Sequence, residues 1–157
     1  MAGARKIAAG LTALAAALAL AGAFATPSSA GVDSFAVKVA KERHGTYKKV
    51  LNAPALEGKE DFYFRVKSTV NQQQQMAFRG SATTSEYKIR WYLGEENVTS
   101  GVSNTGHDFT LKPDKVKIFR LEAKPEAAGP ECFYGEASDD SFSSGLTAYV
   151  SVEHGSC

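Results

Sequence analysis

The chain is short of nearly everything from which a catalytic or metal-binding site is built. It has two cysteines and three histidines, and no histidine stands in a His-x-x-x-His or His-x-His spacing, so a zinc site would have to be gathered entirely by the fold. His44, His107 and His154 each lie beside a glycine, at expected turns or near the end of the chain. Surface histidines are the plain expectation there. Serines are plentiful, yet none occupies the centre of a Gly-x-Ser-x-Gly elbow. Cys132 has no histidine close to it in sequence, and Cys157 is the last residue, where a scaffold holds a nucleophile poorly. Asp139 and Asp140 are adjacent instead of alternating as calcium ligands do, and read as solvated residues of a hairpin tip. An enzyme is not expected, and neither a cofactor nor a metal is.

An excess of charge of one sign is missing as well. The chain carries 18 Lys and Arg against 17 Asp and Glu, a formal net charge of +1. Near-neutrality gives no broad electrostatic reason to bind nucleic acid or an acidic membrane surface. Sustained apolar spacing of 3.6 residues is absent after residue 30, which argues against amphipathic helices.

The N-terminus does have a long apolar run. Arg5 and Lys6 precede an uncharged stretch from Ile7 to Ala25, followed by Thr26, Pro27, Ser28, Ser29 and Ala30. A basic start, an apolar centre and small residues at −3 and −1 are what a signal peptidase reads. Ser28 and Ala30 fit cleavage after Ala30, and Ala23 with Ala25 offers a second cut. A retained anchor fits less well, because Ala and Gly are weakly apolar. The expectation is therefore a leader over residues 1–30, one domain over 31–157, and a location outside the cytoplasm with no stable membrane insertion after cleavage. In such an oxidising compartment Cys132 and Cys157 are expected to form a disulfide.

What recurs in the remaining chain is alternation. Phe35, Val37 and Val39 share one parity, as do Phe62, Phe64 and Val66, then Tyr87, Ile89, Trp91 and Leu93. Phe119, Leu121 and Ala123 follow, then Leu146, Ala148, Val150 and Val152. Period two in β-branched and aromatic residues predicts strands with one buried face. Turn residues separate the runs, among them Pro54, Gly58, Gly94, Gly106, Pro113 and Gly129. The fold class predicted is all-β, an antiparallel β-sandwich. Residues 68–85, with Gln72, Gln73, Gln74 and Gln75 in a row, read as a solvated loop or an extra edge hairpin.

The stretch from Tyr87 through Trp91 to Gly94, then Asn97, Val98 and Thr99, then Val102, Phe109, Thr110, Leu111 and Pro113, with Pro125 closing the next strand, resembles an immunoglobulin-like module of bacterial secreted and surface proteins of the cell-adhesion-related type. Gly58 with Phe64 and Val66, and Ala137 with Ser138, extend the likeness over most of residues 56–153. It departs where Asp114 replaces the usual turn glycine, where Leu56 and Glu57 precede Gly58, and in the long loop after Val66. The resemblance implies an immunoglobulin-like sandwich serving as a spacer, adhesive or ligand-presenting module. Its expected partner is an unidentified protein or cell-envelope component, not nucleic acid.

Aromatic residues offer one further reading, a small carbohydrate-binding module stacking sugars on Trp91, Tyr92, Tyr63, Phe78, Tyr134 or Tyr149. Parity assigns Trp91 to the core, leaning on Phe64 or Phe119. It puts Tyr63 and Tyr92 on the polar face beside Arg65 and Arg90, as the candidate contact surface. Asn97, Val98 and Thr99 form a glycosylation sequon, taken as incidental because the Ala-rich leader has a bacterial look.

Overall fold

The computed structural model describes the backbone of Ser28–Ser29 together with residues 34–139 and 145–157. Two sheets form. One runs β2 (Phe35–Ala40), β4 (Glu60–Ser68), β9 (Val116–Pro125), β6 (Tyr87–Leu93) and β7 (Glu96–Asn97). The other runs β1 (Ser28–Ser29), β5 (Gln74–Ala82), β10 (Glu131–Asp139), β11 (Gly145–Val152) and β3 (Val50–Ala53), with β8 (His107–Leu111) on the far edge of β5. A short helix α1 (Thr99–Asn104) covers the end of β6.

The pairing is antiparallel except for β1 with β5 and β3 with β11. The order β2–β4–β9–β6 reproduces the A–B–E–D sheet of an immunoglobulin constant-type domain, and β11–β10–β5 its G–F–C sheet. The first strand is divided, β2 serving one sheet and β3 the other. The chain is an all-β, single-domain, immunoglobulin-like sandwich. It departs from the constant-type plan in β8, which follows the D-position strand in sequence yet joins the C-position strand.

All five alternating runs are strands, with the apolar parity inside. Residues 68–85 correct the expectation. A core strand, β5, occupies their middle, flanked by β10 and β8. The side chain of Gln74 is buried and donates to Ser34 Oγ, which is how a glutamine begins a core strand. Met76 and Phe78 then enter the core. Asp139 is also buried, at the end of β10, because that strand runs on to pair with Met76; the expected solvated tip does not begin there, and Asp140 lies outside the described residues. His107 opens β8 instead of sitting in a turn, its ring edge-on to Phe119 at 6.2 Å. Of the expected leader, residues 1–30, only the backbone of Ser28–Ser29 falls among the described residues, pairing with Gln74 and Gln75.

Where the resemblance places a turn glycine, Asp114 adopts φ 53°. Short polar side chains tolerate this left-handed conformation better than others do, so the departure in residue type preserves the turn.

Trp91 is fully buried. Its ring lies 5.2 Å from that of Phe64 on the same sheet and 5.4 Å from that of Phe78 on the opposite one, while Phe119 stacks on Phe78 at 3.9 Å. Gly80 and Gly135 are direct cross-strand partners under this cluster. A Cβ at Gly80 would come within 2.4 Å of the Trp91 ring, and one at Gly135 within 2.6 Å of Phe64. The two missing side chains leave a depression in one sheet that the indole and phenyl rings of the other fill.

Candidate functional site

The outer face of the β2–β4–β9–β6 sheet carries both residues expected at the contact surface. Register places Tyr63 of β4, Arg120 of β9 and Tyr92 of β6 in one row across three strands. The Arg120 guanidinium lies over the Tyr92 ring, 4.1 Å from its centroid, and pairs with Asp61 at 3.1 Å and Glu122 at 3.8 Å. Glu122 also takes Lys59 at 3.3 Å and Arg90 at 3.7 Å. A second stack lies alongside, Arg65 over Tyr47 at 4.1 Å. The Tyr47 hydroxyl donates to the Arg43 carbonyl at 2.8 Å, fixing the β2–β3 connection over the sheet. Burial raises the Tyr47 phenol above its ordinary pKa, against the opposing pull of Arg65 and Arg43.

Between these groups is a cleft of about 160 Å³ lined by Arg43, Tyr63, Gly94, Ile118 and Arg120. Gly94 forms its rim at φ 65°, in the tight turn from β6 to β7. Typical small-molecule pockets are roughly 300–1,000 Å³, so the cleft admits one projecting group of a larger ligand. Parity reasoning found Tyr63 and Tyr92. It missed Arg43, Gly94, Ile118 and Arg120, although the alternation of the run from Lys117 to Ala123 was available to find Ile118 and Arg120.

The remaining candidates lie apart from this face. Trp91 and Phe78 are in the core and present no platform. Tyr134 and Tyr149 are cross-strand partners on the other sheet. His44 and His154 are exposed, at separate places from His107, and no group of three potential ligands that could hold a metal occurs among the described residues. No helix among them is long and apolar enough to cross a membrane.

Cys132 and Cys157 are bonded, with Cα atoms 5.4 Å apart. The β10–β11 hairpin puts Cys132 opposite Ser151, and a tight turn through Glu153 and His154, both at positive φ, folds the last residues back onto β10. Gly155 lies against the Glu131 backbone so closely that a Cβ there would sit 2.2 Å from the Glu131 carbonyl oxygen. The Glu131 side chain, unremarked in the sequence, is wholly buried in this corner. It accepts hydrogen bonds from the Thr83 and Thr84 hydroxyls and from the backbone N–H groups of Thr83, Thr84 and Cys132. Burial alone would raise its pKa; those bonds outweigh burial and hold the carboxyl below its ordinary value. Closing a 25-residue separation stabilises a fold by roughly 3 kcal/mol in the chain-entropy treatment. Paired Cys132→Ser and Cys157→Ser replacement is expected to lower unfolding free energy by about that much. Unreduced mass spectrometry is expected to find no alkylatable thiol, and two per chain would refute the bridge.

Fold and face together define an immunoglobulin-like β-sandwich module with a polar, arginine- and tyrosine-bearing sheet face. No family model matches the chain, and no curated protein matches it. Solved structures similar to it include a family 123 glycoside hydrolase from Clostridium perfringens, at 13% identity and TM-score 0.49 over 76% of this chain. The match spans 27% of the hydrolase chain. A FixG-related protein from Vibrio parahaemolyticus matches at 9% identity and TM-score 0.47, over 77% of this chain and 96% of its own. The CARDB domain of PF1109 from Pyrococcus furiosus matches at 14% identity and TM-score 0.36, over 77% of this chain and 95% of its own. Likenesses at this level carry no functional assignment.

Proposed function

We propose that this is an exported, non-enzymatic immunoglobulin-like module that acts by contact with an extracytoplasmic partner, a protein or a component of the cell envelope. The contact is made by the outer face of the β2–β4–β9–β6 sheet. The observation that supports this reading is the row Tyr63–Arg120–Tyr92 with its cleft. Tyr and Arg are, with Trp, the side chains enriched among the residues that dominate protein contacts, because each combines a broad apolar body with a polar end. The ion pairs of Arg120 to Asp61 and Glu122 hold the row in place before any partner arrives. A neutral-sugar stacking module is the weaker alternative. Its strongest platform, Trp91, is inside, and one face of Tyr92 is covered by a guanidinium.

Two measurements test the reading. N-terminal sequencing of the exported chain is expected to begin at Gly31; a start at Thr26 would retain the β1 segment, and an uncleaved chain would refute export by a removable leader. Sedimentation with washed cell envelopes is expected to weaken by about tenfold for the Tyr63→Ala, Tyr92→Ala double variant, as loss of a contact anchor does, while its melting temperature changes little. Unaltered sedimentation would remove this face from the reading.

A further inference from the structure

The chain's formal charge of +1 hides a strongly uneven distribution. Register assigns fifteen outward positions to the four long strands of the β2–β4–β9–β6 sheet. Seven of them are basic: Lys38, Arg65, Lys67, Lys88, Arg90, Arg120 and Lys124. Only Asp61 and Glu122 are acidic. Near-neutral net charge therefore does not describe this face.

The arrangement matters more than the count. Lys67 occupies one end row on β4, and Lys38 with Arg65 the next row, on β2 and β4. Arg120 follows on β9, then Arg90 on β6, and Lys88 with Lys124 form the far row on β6 and β9. The cations thus cross the sheet on one diagonal, passing from the β2–β4 side to the β9–β6 side over five rows. With rows about 6.6 Å apart and strands about 4.8 Å apart, the diagonal is roughly 30 Å long. The uncharged positions Val116, Ile118 and Tyr92 lie to one side of it, and the acidic Asp61 with Ala40, which is buried, to the other. Asp61 and Glu122 are both engaged with Arg120. Lys38, Arg65, Lys67, Lys88 and Lys124 have no carboxylate partner among the described residues.

We infer that this diagonal is a docking track for a linear acidic polysaccharide. The inference rests on the contact reading above and names the partner's chemistry. Charge complementarity selects a polyanion, and the shape of the surface selects a linear one. A four-stranded sheet twists by about 20–25° per strand, so its face is a saddle that a flat bilayer touches only in part, whereas a single chain can follow its diagonal. Two carboxylates beside the middle of the track leave room for a narrow chain; a nucleic-acid duplex would lie across them. Single-stranded nucleic acid binds by stacking its bases on open aromatic faces, and here the guanidinium of Arg120 covers Tyr92 while that of Arg65 covers Tyr47. Most of the unpaired cations are lysines, point charges suited to a string of carboxylates at no fixed angle. The Arg43–Arg120 cleft takes one substituent of the chain as it passes.

The test measures binding of the exported chain to polygalacturonate, with dextran, polyglutamate, duplex DNA and anionic phospholipid vesicles as comparisons. Polygalacturonate is expected to bind most tightly, with affinity falling as salt rises, and dextran not at all. Replacing Lys38, Lys67, Lys88 and Lys124 by Ala is expected to weaken binding on the order of a thousandfold, from about one kcal/mol for each of the four cations near an anionic surface. Replacing Lys48, Lys49, Lys112 and Lys115, exposed lysines outside these four strands, changes net charge equally and is expected to leave affinity nearly unaltered. Equal loss in the two variants, absence of binding to polygalacturonate, or a preference for polyglutamate, DNA or vesicles would overturn the inference. If envelope sedimentation persists while polygalacturonate binding is absent, the acidic-polysaccharide assignment alone fails. If both are absent, the contact reading fails with it.

Discussion

Replacing Trp91 by Ala is expected to destabilise the domain by about 3–5 kcal/mol, the range for truncating a buried large aromatic, against a total that is typically roughly 5–15 kcal/mol. The ring fills the space above Gly80 and touches both Phe64 and Phe78, so its loss opens a void between the sheets that the glycine side cannot close. Trp91→Phe is expected to cost much less, below about 2 kcal/mol. The indole Nε1 is buried without a hydrogen-bond partner among the described residues, and a buried unsatisfied donor costs about 1–3 kcal/mol, which the phenyl ring no longer incurs. Gly80→Ala attacks the same contact from the other sheet, because the new methyl would stand 2.4 Å from the indole, and overpacking of this kind costs about 1–3 kcal/mol. Urea unfolding followed by circular dichroism compares the three variants. In the parent protein the only tryptophan should fluoresce at short wavelength and resist acrylamide until unfolding. Red emission in the native state would refute the placement.

Glu131→Ala is expected to cost about 3 kcal/mol, since it leaves several buried donors without their charged acceptor. Glu131 also makes stability depend on acid in a definite direction. Its folded-state pKa is lowered relative to the unfolded chain, so its contribution is fully present above the unfolded carboxylate value, about 4.3. That contribution is lost as pH falls through that value toward the lower folded one. Urea midpoints measured from pH 7 down to pH 3 should therefore drop on the acid side. Glu131→Gln should flatten that part of the drop, because an amide does not titrate. It should also lower stability at pH 7, since its NH₂ would face the donors of Thr83 or Thr84. An unchanged acid limb in Glu131→Gln would show that other carboxylates set it.

The parts legible in the sequence are those where alternation is loud. The runs around Val37, Phe64, Trp91, Leu121 and Val150 combine large apolar residues with charged or polar neighbours, and each is a strand of the expected parity. β5 was illegible because the residues that suit it to the core also erase its signal. Gln74 is polar, Ala77 is buried on the opposite parity, and Gly80 is small so that Trp91 can approach. α1 spans six residues and buries only Val102, too little to set up a helical period. The contact face was half legible. Parity brought out Tyr63 and Tyr92, but the diagonal of cations depends on which strands are neighbours, and β9 stands between β4 and β6 although it follows both in sequence. Glu131 could not be read at all, since its Thr83 and Thr84 donors lie 48 and 47 residues away.

The parallel pairing of β3 with β11 has a consequence for how the chain is made. β11 is the last strand and lies inside its sheet, between β10 and β3, with Val150 beside Leu51. Neither the second sheet nor the seam where the divided first strand changes sheets can be completed until β11 has been synthesised. Pairings between such distant parts of a chain also form slowly. A nascent copy therefore keeps this sheet unclosed until β11 has emerged.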